Sequence, residues 1–131
     1  MTHYSDKSVK PRILIVDDDR SIREVLADAL KGDFEVYVAS TGREAVMKFK
    51  KYRPSIVLMD ILMPDMNGIE ATEKIRKIDK KAKILGISAY SESKGPQLIN
   101  AGAKEVLPKP VSILSILERI HYYLTHNNCV S

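Results

Sequence analysis

Asp60 ends the run Ser55-Ile-Val-Leu-Met-Asp60. A short apolar, β-branched run of this kind reads as a buried strand of a parallel sheet. A carboxylate at its last position is then held at the carboxyl edge of the sheet, where open α/β folds place their ligand sites. The pattern recurs. Ile13-Leu-Ile-Val16 runs into Asp17-Asp18-Asp19, Lys83-Ile-Leu-Gly-Ile87 into Ser88, and Val106-Leu-Pro108 into Lys109-Pro110. Four strand ends thus deliver carboxylates, a hydroxyl and an ammonium to one edge. That set suits divalent-cation binding and phosphoryl chemistry.

Asp17, Asp18 and Asp60 brought together repel one another, and such a cluster stays ionised only if a cation neutralises it. Oxygen ligands with a few waters suit Mg²⁺ or Mn²⁺ rather than zinc. Asp18 reads as a direct metal ligand, and Asp17 as one acting through a coordinated water. Asp19 stands just before Arg20-Ser21 and fits the role of a helix cap. A carboxylate such as Asp60 can attack phosphorus to form an aspartyl phosphate. Lys109 would bring a second positive charge, with its stem pinned between two prolines. Ser88 can donate one hydrogen bond to a phosphoryl oxygen.

The elements that must position these groups alternate regularly. Strands are expected over 12–16, 34–39, 55–60, 83–88 and 105–107. Helices are expected over about 21–31, 41–51, 68–78, 92–101 and 113–126. The first helix places Ile22, Val25, Leu26 and Leu30 at helical spacing, with Gly32 as its stop. Ser40-Thr41 can cap the second. Gly95-Pro96 falls inside or at the start of the fourth. Met63-Pro64-Asp65-Met66-Asn67-Gly68 is turn-rich. Five such βα units predict an α/β fold: a doubly wound, five-stranded parallel sheet covered by helices on both faces.

The 131 residues argue for one domain, and 44% hydrophobic residues can build its core. Residues 1–11 read as a flexible arm, 12–126 as the domain and 127–131 as a tail. No run of about 18 apolar residues is present, and the start is polar, so a cytoplasmic protein is expected. Cys129 lies on the tail and reads as a free thiol. The net charge is +4. Its basic clusters, around Lys48–Arg53 and Lys74–Lys83, are interleaved with acids and read as solvated helix faces. No nucleic-acid or membrane partner is expected.

With these motifs in hand, the chain resembles the receiver domain of two-component response regulators over residues 12–126. The resemblance rests on Ile-Leu-Ile-Val-Asp17-Asp18-Asp19, Leu-Met-Asp60-Ile-Leu-Met63-Pro64-Asp-Met-Asn-Gly68, Ser88-Ala89 and Pro108-Lys109-Pro110, in that order. It implies a flavodoxin-like fold, with Asp60 as the phosphoacceptor for a sensor histidine kinase or histidine phosphotransfer protein. It implies Mg²⁺ held by Asp17, Asp18, Asp60 and the backbone carbonyl of Leu62. Ser88 becomes the switch hydroxyl and Lys109 the phosphate-contacting lysine. The chain departs from the family at Val106, where an aromatic ring usually moves with the hydroxyl. Tyr90 is the substitute candidate for gating. Because only five residues follow the last helix, a stand-alone receiver is expected. It would act through a downstream target protein, as a monomer or a weak phosphorylation-dependent dimer.

Two other readings compete. An aspartate-nucleophile phosphatase would also use a strand-end Asp and Mg²⁺, but it tends to carry a general-acid Asp two residues on, where this chain has Leu62. A non-phosphorylated scaffold would normally have lost an acidic or lysine position, and none is lost here. Within the receiver reading, Arg20-Ser-Ile-Arg23 lacks the Phe-Met pair common in chemotaxis receivers. Ser88-Ala-Tyr90 resembles a sporulation phosphorelay receiver. Both hints favour relay or general signalling over motor control.

Overall fold

The computed structural model describes residues 9–63, 66–89 and 91–126, with only the backbone of 91–93. The expectations for Tyr90, Cys129, the 127–131 tail and most of the 1–11 arm lie outside those residues. Ten elements alternate: β1 Arg12–Val16, α1 Arg20–Leu30, β2 Glu35–Ala39, α2 Gly42–Tyr52, β3 Ile56–Asp60, α3 Gly68–Ile78, β4 Ile84–Ser88, α4 Ser91–Ala101, β5 Glu105–Pro108 and α5 Ile113–Thr125. The strands form one sheet in the order β2-β1-β3-β4-β5, and every pairing is parallel.

Successive strand side chains point to opposite faces, and the core divides accordingly. Ile13, Ile15, Ile56, Leu58, Leu85 and Ile87 meet Leu26 and Leu30 of α1 and Ile116 and Ile120 of α5. Leu14, Val16, Val57, Met59 and Ile84 meet Ala45 and Phe49 of α2, Ala71 and Ile75 of α3 and Leu98 of α4. The three middle strands are covered on both sides, which is why they read as continuous apolar runs. Their starts are tied as well: the Ser55 N–H donates to the Arg12 carbonyl at 2.8 Å, and Val57 N–H to the Lys83 carbonyl at 2.9 Å.

Helix starts follow local chemistry. Asp19 accepts from the N–H groups of Ser21 and Ile22, as its place before α1 predicts. Thr41 accepts from Glu44 N–H while the Glu44 carboxylate accepts from Ser40 N–H, a reciprocal capping arrangement. Asn67 caps α3 by accepting from Glu70 N–H.

Element ends differ from expectation by at most one residue. Pro108 extends β5, where the strand lies at the sheet edge and needs no outward N–H. Pro96 lies inside α4. Val25 shares the helical spacing of Ile22, Leu26 and Leu30, yet it is 59% exposed. The buried stripe of α1 is narrow, carried by Leu26 and Leu30, and leaves Val25 on its flank. Among the described residues, no helix is long and apolar enough to cross a membrane.

Candidate functional site

From β1 the chain goes first to β2 on one side and later to β3 on the other. That reversal opens a crevice at the carboxyl ends of β1 and β3. Register fills it. Val16 pairs with Met59, so Asp17 and Asp60 emerge side by side. Asp60 pairs with Ile87, and Ser88 with Pro108. Lys109 then donates its N–H to the Ser88 carbonyl at 3.0 Å, anchoring the lysine to the end of β4. Its peptide bond to Pro110 is cis.

The groups meet. One carboxylate oxygen from each of Asp17, Asp18 and Asp60 lies within 4.8 Å of the others. Lys109 Nζ stands 3.3 Å from Asp17 Oδ2 and 3.6 Å from Asp60 Oδ1. Asp17 and Asp60 are 4% and 7% exposed, and Ser88 is buried. Asp18 faces solvent.

These surroundings set the charge states. Burial, then repulsion from Asp17, pushes the Asp60 carboxyl up to about 6, although Lys109 pulls the other way. Burial works against the Lys109 ammonium, yet Asp60 and Asp17 outweigh it and hold its pKa above the ordinary value. Lys109 therefore stays charged. One ammonium among three carboxylates leaves the cluster short of positive charge. Hard oxygen donors at this spacing fit Mg²⁺ or Mn²⁺.

Two contributors escape sequence reasoning. Arg23 Nη1 donates to the backbone carbonyl of Asp17 at 2.8 Å. Gly68 donates its N–H to the Ile61 carbonyl at 2.8 Å. A Cβ on Gly68 would sit 2.2 Å from the Asp60 carbonyl, so only glycine lets α3 begin this close to β3. Both contacts join residues through the folded loops, and no spacing rule announces them.

The remaining candidates lie around the rim. Leu62 is 44% exposed. Val106 is half-buried and packs against the core beneath α4. A mostly apolar groove of about 610 Å³ runs between α1 and α5, bordered by Ile22, Val25, Ile87, Lys109, Pro110 and Ile113.

Residues 13–121 match the family model of the response regulator receiver domain. The chain belongs to that family. It is 44% identical over 113 residues to the chemotaxis protein CheY of Thermotoga maritima, spanning 84% of this chain and 94% of that one. It is 43% identical to CheY of Bacillus subtilis over the same shares. Among solved structures, a CheY-like receiver domain protein from Methanospirillum hungatei matches with TM-score 0.85 and 34% identity, covering 89% of this chain and 95% of that one. The CheX–CheY–BeF3–Mg²⁺ complex from Borrelia burgdorferi matches with TM-score 0.84 and 30% identity, covering 92% and 93%. The protein is thus a receiver domain of CheY type, a signalling domain of two-component systems, with the flavodoxin-like fold expected from its motifs. These relatives bear chemotaxis names, whereas the short motifs after Asp18 and Ser88 leaned toward relay or general signalling.

Proposed function

We propose that Asp60 accepts a phosphoryl group from the phosphohistidine of a sensor histidine kinase or histidine phosphotransfer protein. The observation that carries this reading is the convergence of Asp17, Asp18, Asp60 and Lys109. Gathering three carboxylates has a large electrostatic cost, and a site for a cation and a phosphoryl group gives that cost a use.

In the transfer, a carboxylate oxygen of Asp60 bonds to phosphorus as the donor's P–N bond breaks. The imidazole leaves with that electron pair. Asp17, acting through a coordinated water, with Asp18, Asp60 and the Leu62 carbonyl, would hold a Mg²⁺ ion that would offset charge on the phosphoryl oxygens. The Lys109 ammonium faces the same oxygens, and Ser88 donates its hydroxyl to one of them. The groove between α1 and α5 opens beside Lys109 and suits a helix presenting the donor histidine. The BeF3 and Mg²⁺ in the complex of the similar Borrelia burgdorferi protein support this assignment.

The output is a phosphorylation-dependent contact with a downstream target protein, or onward transfer to another histidine. Besides any onward transfer, the domain catalyses its own phosphorylation and slow dephosphorylation, in the cytoplasm. The test is intact mass after incubation with acetyl phosphate and Mg²⁺. One added phosphoryl group is expected, absent in Asp60→Ala and in EDTA. If neither acetyl phosphate nor a histidine kinase adds that mass, the reading fails and the scaffold alternative takes its place.

A further inference from the structure

Asp18 poses a positioning problem. It is exposed, and no hydrogen bond or ion pair to its carboxylate occurs among the described residues. Its neighbour is the opposite case. Asp17 donates its N–H to the Ala39 carbonyl at 3.1 Å. Its Oδ1 accepts from Asp19 N–H at 2.9 Å, and its Oδ2 faces Lys109. Its backbone carbonyl accepts from Arg23 Nη1 at 2.8 Å. The Asp17 carbonyl and the Asp18 N–H belong to one rigid peptide plane. Whatever holds that carbonyl therefore sets the direction in which Asp18 leaves β1. Three of Asp17's contacts come from β2, from the next residues of the loop and from β5. The fourth is a side chain reaching back from the first turn of α1, and it acts on the plane shared with Asp18.

The choice of acceptor matters. A cation bonded to a carboxylate occupies a ligand oxygen, as Lys109 does at Asp17. Arg23 binds a carbonyl, so its charge lies beside Asp17 while the Asp18 oxygens stay available. It is half-buried, where a charge-assisted hydrogen bond is stronger than one in open water. We propose that Arg23 is a positioning residue that orients the Asp17–Asp18 pair for the divalent cation, a role that rests on the phosphoacceptor reading above. Residues that orient metal ligands typically change metal affinity by about 10–100-fold when removed.

Calorimetric titration of the full chain with Mg²⁺, for the wild type, Arg23→Met and Arg23→Lys, tests this, with melting in EDTA as a measure of the fold alone. Arg23→Met should weaken Mg²⁺ binding by about 10-fold or more. Arg23→Lys, which keeps a charge and one donor, should recover part of the loss. A role confined to stability would lower the EDTA melting point of Arg23→Met and leave its Mg²⁺ affinity within about twofold of wild type, which would overturn the proposal. Should Arg23→Met not fold, Arg23→Lys decides alone: severalfold weaker binding supports the role, and unchanged binding overturns it. A wild type that fails to bind Mg²⁺ would remove the phosphoacceptor reading as well, which separates the two failures.

Discussion

Asp60 carries two conflicting requirements at the scale of a single residue. As the proposed phosphoacceptor it must be ionised to attack phosphorus, yet it sits buried beside Asp17 and Asp18, and its pKa rises to about 6 from an ordinary 3.8. The raised value has a sign that can be measured. Between pH 4 and 6 the folded chain holds a proton on Asp60 that the unfolded chain has lost. Stability from this group is therefore complete below pH 4 and is lost as pH rises through 6. In EDTA, urea unfolding of the wild type relative to Asp60→Asn should lose on the order of 2 kcal/mol across that window. Parallel stability curves for the two proteins would show that Asp60 titrates normally. Leu62 raises a separate question. Its apolar side chain is exposed at the rim, two residues from Asp60, and can exclude the water that would hydrolyse an aspartyl phosphate. Leu62→Asn should therefore shorten the phosphoryl lifetime severalfold in an intact-mass time course. An unchanged decay would remove Leu62 from that role.

Elements position these residues, and most of that positioning was legible. Each strand end could be read because a β-branched apolar run stops at a polar group, as at Val16-Asp17 and Met59-Asp60. The caps Asp19 and Thr41 could be read because capping is local chemistry within three residues. The bond from Arg23 to the Asp17 carbonyl and the approach of Gly68 to β3 could not, since both depend on how a helix lands on the sheet. Val25 shares the spacing of Leu26 and Leu30 yet stays exposed, because helical spacing identifies a face but not how wide a stripe the sheet covers. The seat of α4 belongs to the same class. Gly86 in β4 has no side chain, and a Cβ there would come within 2.3 Å of Leu98 Cδ2 and 3.1 Å of Val106 Cγ2. Leu98 is fully buried, so it has little room to turn aside. The chain packs α4 against β4 and β5 through this leucine and valine. Gly86→Val should therefore destabilise the fold by about 1–3 kcal/mol in urea unfolding. A variant as stable as the wild type would mean that α4 can shift without cost.

For the whole molecule, a cation held by the three-carboxylate cluster would couple metal binding to folding. The unfolded chain has no reason to hold Asp17, Asp18 and Asp60 within 4.8 Å. A cation that needs all three binds the folded state far better, and mass action converts that preference into stability. Free Mg²⁺ at ten times its dissociation constant adds about 1.4 kcal/mol. In a domain of this size that raises the melting temperature by roughly 4–6 °C. Two controls isolate the effect. NaCl at matched ionic strength removes general screening, which acts on every exposed charge of a chain with net charge +4. Asp18→Asn removes one carboxylate at the solvent-facing side of the cluster and leaves the ion pair of buried Asp17 and half-buried Lys109 intact. The wild type should gain those degrees in MgCl2 over EDTA, and Asp18→Asn should gain at most a fraction of them. Equal melting temperatures for the wild type with Mg²⁺ and with EDTA would mean that Lys109 alone relieves the acids, and that the cluster gathers without a metal.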